Sequence, residues 1–380
     1  MATTAQVPDA AALRRRFEET GGFTVGVEEE VMLLDPRSLD LAPHAEALCG
    51  RMPDDPRFKR ELPAAQIEIV TEPATSAGAA VEQLANGRRD LAAAAEGLVR
   101  PAVAGVHPTA PAEGVLSGGE RYAALRREYG PVAHRQLVAA LQIHVAVGGH
   151  ERTLAVYNAL RCLLPEIAAL SANAPFHCGV DSGLASVRPG ICVQLPRQGV
   201  PPAIPSWEHL AAELAWGARS AAVADAASWW WELRPHVVHG TLELRVPDAQ
   251  TTIDEASGII AFVQALVATL ADRFDAGEAP ARTPSWRIQE NRWSALRYGV
   301  EGTLADLISG ERHSTRERLH ELVEEAVPAA RRIGCADLLQ HTRRSIERNG
   351  ALRQRHAAAS LGIGGLAGWA ADRFLPDLRR

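Results

Sequence analysis

The stretch Gly26-Val-Glu-Glu-Glu-Val-Met-Leu-Leu34, GVEEEVMLL, sets three consecutive carboxylates inside a run that is otherwise β-branched and apolar. Read as a helix, the acids would fan out at roughly 100° per residue and leave the β-branched neighbours misplaced. Read as a strand, successive side chains alternate between faces. Val25, Val27, Val31 and Leu33 then make one dry face, and Glu28 and Glu30 stand on the other, about 7 Å apart from the per-residue rise. Glu29 falls on the dry face and needs a partner there, such as an arginine from a packed helix.

The same division recurs along the chain. In Gln66-Ile-Glu-Ile-Val70, Gln66 and Glu68 lie opposite Ile67 and Ile69. In Leu141-Gln-Ile-His-Val-Ala-Val147 the odd positions are apolar, and Gln142, His144 and Ala146 share the other face. In Thr241-Leu-Glu-Leu-Arg-Val246, Thr241, Glu243 and Arg245 oppose the two leucines and Val246. Glutamate is depleted in strands, and crowded carboxylates raise one another's pKa unless something positive compensates. A single strand glutamate is ordinarily solvated or paired with an arginine. Glu28, Glu30, Glu68, His144 and Glu243 together, on neighbouring strands, would converge, and a divalent metal is the simplest compensating charge. Oxygen ligands with one imidazole suit Mg²⁺ or Mn²⁺ better than zinc.

Strand-like segments at 23–34, 66–71, 141–147, 190–195 and 241–246 are separated by Ala/Leu/Arg-rich helical stretches at about 77–100, 151–172, 207–228, 255–275 and 314–359. Connections this irregular argue against repeated βαβ units and for an α+β fold with a mainly antiparallel sheet. Residues 1–20 read as a flexible N-terminal segment entering a short helix. Residues 21–380 read as one catalytic domain with a helical C-terminal part from about 300 to 380. The Pro/Gly-rich pieces 101–119, 196–206 and 276–285 read as loops.

With 380 residues and a formal charge of −6, the chain has room for a sizeable core and no basic field to gather nucleic acid. The apolar run Ile259 to Leu270 contains Gln264 and is too short to span a bilayer, and the N-terminus has no apolar leader pattern, so a cytoplasmic protein without a membrane partner is expected. Five scattered cysteines without C-x-x-C spacing indicate neither disulfide framework nor zinc knuckle. Lys59 is the only lysine, and its context, DDPRFKRE, excludes a Walker A loop. A phosphate would therefore be held by arginine, backbone N–H groups or metal. Arg188, Arg234 and Arg245 follow strand or loop signals and are the candidates, although Arg245 could simply neutralise Glu243. Asn173 and Ser171, in LSANAPF, read equally as turn chemistry or as polar site residues. Trp229, Trp230 and Trp231 read mainly as core, with base stacking as the alternative. G-x-S-x-G and H-E-x-x-H are absent, and Gly362-Ile-Gly-Gly-Leu-Ala367 stands too near the end for a dinucleotide fold.

TVGVEEEVMLLDP, QIEIVTEPA, the His144 strand, LSANAPFHCGVDSGLASVRPG, RPHVVHGTLELRVPDAQ and ENRWSALRYG occur in this order over roughly residues 22–300. Together they resemble the bacterial carboxylate-amine ligases of the glutamate–cysteine ligase 2 type. That resemblance implies a glutamine-synthetase-like catalytic fold, a curved antiparallel sheet with helices on one face, whose concave face takes ATP and Mg²⁺ or Mn²⁺. It implies metal and nucleotide contacts from Glu28, Glu30, Glu68, His144 and Glu243, with Asn173 beside the nucleotide. Arg188, Arg245 and Arg234 are implied near phosphate or acyl phosphate. It further implies small-molecule substrates, a carboxylate such as glutamate and cysteine or another amine, and leaves a homodimer open. Three departures stand out: Gln142 and Ala146 flank His144 where many relatives carry a second histidine, Val180 replaces an arginine, and Val237-Val-His239 replaces P-R-F. A metal-dependent hydrolase using the same acids, and a nucleotide-binding protein without catalysis, are the alternatives.

Overall fold

The computed structural model describes residues 7–221, 223, 228–279 and 283–375. The first six residues of the expected N-terminal segment fall outside these. So do positions 222 and 224–227 of the helix expected over 207–228, 280–282 of the expected loop, and 376–380.

Seven strands build the main sheet: β1 (Val25–Leu34), β2 (Phe58–Arg60), β3 (Gln66–Val70), β4 (Arg100–Ala102), β5 (Leu141–Val145), β6 (Leu233–His236) and β7 (Thr241–Leu244). Their order is β2-β3-β1-β5-β7-β6, with β4 paired to the end of β1, and every pairing is antiparallel. The expected α+β class and antiparallel sheet are therefore observed. Long β1 is the hub, flanked by β3 and β4 on one edge and β5 on the other.

The dry face is as dry as the alternation requires. Val25, Val27, Val31, Leu33, Ile67, Ile69, Leu141, Ile143, Val145, Leu242 and Leu244 are all buried in one core cluster. Helices Ala77–Ala95, His150–Leu160 and Ile253–Asp275 pack around that core. Helix Ile253–Asp275 and the segment His150–Ser171 are long and apolar enough to cross a membrane, but most of each is buried inside the protein, where the apolar surface meets core instead of lipid.

Several expectations need correction. Residues 190–195 form no strand: Arg188–Cys192 is a short helix with Pro189 in its first turn, where the fixed φ of proline favours helix initiation. The N-terminal segment is not free from residue 9 onward. Asp9 caps helix Ala10–Glu19 by accepting from the Ala12 N–H at 2.7 Å, Leu13 and Phe17 are buried, and Phe17 stacks on Trp207 with ring centroids 4.8 Å apart. Helix Ser285–Tyr298 was not expected, because exposed Trp286 and Trp293 blur the apolar spacing of Ile288, Ala295 and Leu296. The helix expected over 314–359 is three: Thr315–Arg332, Leu339–Glu347 and Gly350–Leu361.

Glu29 finds the arginine it required. Arg88, on helix Ala77–Ala95, donates from Nε and Nη2 to both Glu29 oxygens at 2.7 and 2.6 Å, and both side chains are wholly excluded from solvent. Its other donors reach the carbonyls of Gln250, Thr251 and Phe374 at 2.8, 3.2 and 3.0 Å. All five guanidinium hydrogens are thus used. Adjacent Gly87 lets the helix come this close, since a Cβ there would sit 2.6 Å from Ile69 Cγ2. Removing one member of a buried, hydrogen-bonded ion pair leaves an uncompensated charge. Arg88→Ala is expected to lower unfolding free energy by about 3–5 kcal/mol in urea titrations. The double replacement Glu29→Leu with Arg88→Met should recover most of the loss.

Candidate active site

The pairing registers bring the expected polar residues onto one face. Lys59 of β2 stands across from Glu68 of β3, and Glu68 across from Glu30 of β1. Glu28 pairs with Gln142, and the next row runs Gly26, His144, Glu243, Arg234 across β1, β5, β7 and β6. Over this face opens a cleft of about 320 Å³. Glu28, Glu30, Glu68, Gln66, Gln142 and Arg245 lie on its sheet side. Glu61, the Arg121–Tyr129 turns of helix Glu120–Tyr129, Arg188 and Trp230 line it as well.

Glu30 is held on three sides. The Ala140 N–H donates to Oε2 at 2.7 Å, the Gln66 amide reaches the same oxygen at 3.4 Å, and the Gln142 amide donates to Oε1 at 3.0 Å. The Gln142 carbonyl oxygen accepts from Arg245. One neutral side chain therefore orients a carboxylate and a guanidinium at once, and the polar residue beside His144 has a structural reason to be glutamine.

The acids fall into two electrostatic groups. Glu243 is buried between Arg234, which donates to its two oxygens at 2.6 and 3.2 Å, and Arg245. Although burial alone would raise its pKa, the two guanidinium groups hold the carboxyl well below the usual range. Glu30, Glu61 and Glu68 are shifted the other way. Burial dominates in each, and the carboxylates Glu61, Glu28 and Glu30 add to the rise at Glu68. Glu61 is pushed up to about 7, burial first and the Glu30 charge second. The cations that reach this group, Arg245 and Arg188 at Glu30, Arg121 and Arg245 at Glu61, and Lys59 at Glu68, do not offset the burial.

His144 stands between the groups. Its Nδ1 is 3.0 Å from Thr241 Oγ1, while Nε2 is buried with no hydrogen-bond partner, 3.7 Å from Glu28 Oε1 and 4.0 Å from Glu243 Oε2. His236 and His239 stack on each other with centroids 4.3 Å apart and present their rings edge-on to His144. Burial lowers His144 below the ordinary imidazole value and takes His236 down to about 3, so both are neutral and available as donors of a lone pair.

One expected site residue lies outside the cleft, and another is largely committed to structural contacts. Asn173 is fully buried behind the cleft. Its amide donates to Ala249 O and Thr251 Oγ1 at 2.8 and 3.1 Å, its Oδ1 accepts from Gln354, and its N–H donates to Asp248. It braces the 247–251 turn and does not line the cleft. Arg188 does line it, but Nε donates to Asp248 at 2.8 Å and Nη2 to the carbonyls of Arg245, Val246 and Pro247. Most of its donors therefore fix the end of β7, and Nη1 faces Cys192 Sγ at 3.8 Å. Nor do the four acids and one histidine expected to bind metal form one cage: among the described residues no three His, Cys, Asp or Glu side chains are drawn together around an ion.

Sequence reasoning missed Glu61, Arg121 and Tyr129 as cleft residues, since none lies in an alternating strand. It undervalued Trp230, which lines the cleft edge-on to Tyr129, at 5.8 Å between centroids, with Arg197 over its ring.

The family model for glutamate-cysteine ligase family 2 (GCS2) matches residues 24–363. The chain belongs to this family. A relative from Rubrobacter xylanophilus, named "Putative glutamate--cysteine ligase 2-3", is 37% identical over 92% of this chain and 96% of its own length. A relative from Thermobifida fusca, "Putative glutamate--cysteine ligase 2", is 32% identical over 84% of this chain and 82% of its own. The fold is similar to that of the glutamate–cysteine ligase of Francisella tularensis, solved in complex with AMP. That likeness has a TM-score of 0.66 at 11% identity, covering 95% of this chain and 90% of the other. A bifunctional glutathione synthetase from Pasteurella multocida also gives a TM-score of 0.66 at 12% identity, over 96% of this chain and 54% of the other. As a member of the family this chain is a ligase that forms carbon–nitrogen bonds.

Crowding in the acidic group has a measurable consequence for this ligase. Glu61 binds its proton more tightly folded, at about 7, than at the ordinary 4.5, so the folded state holds more protons between those values and stability falls as pH rises through that window. Glu61→Gln removes this slope. Its melting temperature is expected to gain on the wild type from about pH 4.5 to pH 7 and to keep a constant lead above it, as read by calorimetry over pH.

Proposed function

We propose that the cleft couples ATP breakdown to amide formation, with glutamate as the carboxylate and cysteine as the amine, as the names of the relatives suggest. A carboxylate is a poor electrophile, so its oxygen first attacks the γ-phosphorus of ATP, giving an acyl phosphate and ADP. The amine then attacks the acyl carbon, phosphate leaves, and the amine proton passes to solvent or to a cleft carboxylate. The observation that carries this reading is the division of one cleft into an acidic group short of positive charge, Glu28, Glu30, Glu61 and Glu68, and an arginine group around Glu243. Phosphoryl transfer depends on positioning and electrostatics, with cations on the transferring phosphate.

The residues present suit Mg²⁺ or Mn²⁺. Hard carboxylate oxygens lie beside one neutral imidazole nitrogen, the orphaned Nε2 of His144, and Mg²⁺ sites are ordinarily completed by phosphate oxygens and water, so a closed protein cage is not required. Glu28, Glu30, Glu61, Glu68 and His144 would hold the metal. When bound it would neutralise charge between the β- and γ-phosphates. Arg245, oriented by Gln142 and Glu243, faces the cleft as the donor to the transferred phosphoryl group. Arg234 holds Glu243 from the opposite side, and Arg188 keeps the β7 end in place.

A covalent protein intermediate has no support. Cys192 is the cysteine that lines the cleft, and burial pushes its thiol up, away from the thiolate that nucleophilic attack needs. Family membership and the paired arginines favour a ligase over a hydrolase on the same acids. ADP release measured with Mg²⁺ or Mn²⁺ across pairs of amino-acid carboxylates and amines should be highest with glutamate and cysteine. Amide hydrolysis without nucleotide would overturn the reading. Glu30→Ala is expected to abolish ADP release while melting stays cooperative, because the lost carboxylate faces the cleft and not the core.

A further inference from the structure

Of the 40 basic side chains, Lys59 alone is a lysine, and it stands in the cleft. Three other buried carboxylates around the cleft are met by guanidinium groups at hydrogen-bond distance: Glu243 by Arg234, Glu232 by Arg292, and Asp248 by Arg188. Glu68 is met differently. Its side chain is 7% exposed, yet the cation across the strand pair is the ammonium of Lys59, 3.9 Å from Oε2 and on a half-exposed stem.

The difference between the two cations matters at this position. A guanidinium grips a carboxylate through two parallel hydrogen bonds and remains there, whereas an ammonium on a flexible four-carbon stem makes single-point contacts and exchanges partners. Behind Glu68 lie Glu30, Glu61 and Glu28, the group short of positive charge. A divalent cation entering among them supplies that charge and at the same time repels the ammonium, for which the arriving phosphates are the next anions within the cleft.

We propose that Lys59 is a mobile counter-ion that rests on Glu68 in the free enzyme and transfers to a phosphate oxygen of the nucleotide once a divalent cation occupies the carboxylates. This rests on the ligase reading and names a positioning residue for it.

The single lysine makes the test direct. Acetylation of the full chain by succinimidyl acetate has Lys59 and the α-amino group as its amine targets, and the α-amino group serves as internal reference in mass spectrometry. Mg²⁺ alone is expected to speed Lys59 acetylation by releasing the ammonium, and the non-hydrolysable nucleotide AMP-PNP with Mg²⁺ to slow it about tenfold, the equivalent of one charge-assisted contact. Glutamate alone should leave the rate unchanged. Slowing by Mg²⁺ alone, or no protection while calorimetry shows AMP-PNP bound, overturns the proposal and leaves the ligase reading standing. No AMP-PNP binding by calorimetry overturns both.

Two variants separate mobility from charge. Lys59→Met and Lys59→Arg should both raise the KM for ATP about tenfold, with Mg²⁺ affinity by calorimetry changing less than about twofold. A Lys59→Arg enzyme with wild-type KM would show that any fixed cation suffices and would overturn the mobile role.

Discussion

The buried pair of Glu29 and Arg88 decides how the rest of the molecule is arranged. A strand with three consecutive acids has two registers that differ by one residue, and a slip exchanges every side chain between faces. In the observed register one carboxylate enters the core and two face the cleft. In the other, two would enter the core. Arg88 supplies one buried guanidinium, positioned by Gly87 on a helix pressed against Ile69, so only the first arrangement is electrostatically satisfied. The same guanidinium ties the 250–251 turn and Phe374 to the sheet. Through that turn, Asp248 then holds Arg188 and Asn173, and Arg188 in turn holds the carbonyls that end β7. Core and cleft are thus joined by one continuous network of buried polar contacts.

How much of this was legible in the residues depends on their local context. Alternation places Glu28, Glu30, Glu68, His144, Glu243 and Arg245 on one face without any knowledge of strand order, because a strand fixes side-chain direction residue by residue. The need of Glu29 for an arginine follows from the same rule, but its identity does not, since Arg88 lies 59 residues away on a helix. Asn173 was misplaced because a buried turn asparagine and a ligand-binding one have the same local sequence, and only tertiary hydrogen bonds distinguish them. Glu61 lies between strands, where no periodicity assigns a direction. Short β2, β4 and β6 owe their extended form to pairing with longer neighbours, and three or four residues carry too little pattern to announce it.

The cleft also shows why the two kinds of cation are not interchangeable. Around Glu243 the positive charge is built in by Arg234 and Arg245, and the carboxylate serves as an anchor that aims them. Around Glu30, Glu61 and Glu68 the charge is left to be completed, at a standing cost in the folded state that appears as raised proton affinity. On the proposed reading, such a site would gain stability and reactivity together on binding a cation and a nucleotide. Gln142 links the halves mechanically, so the distance from the Glu30 carboxylate to the Arg245 guanidinium is set by one amide.

The central claim is that a carboxylate oxygen is phosphorylated in this cleft. Glutamate carrying ¹⁸O in its γ-carboxylate, turned over with ATP, Mg²⁺ and cysteine, tests it in one measurement on the phosphate released. One labelled oxygen is expected in each inorganic phosphate, since the acyl phosphate loses its bridging oxygen to phosphate when the amine attacks the carbon. Phosphate free of ¹⁸O, formed while amide accumulates, would contradict the account.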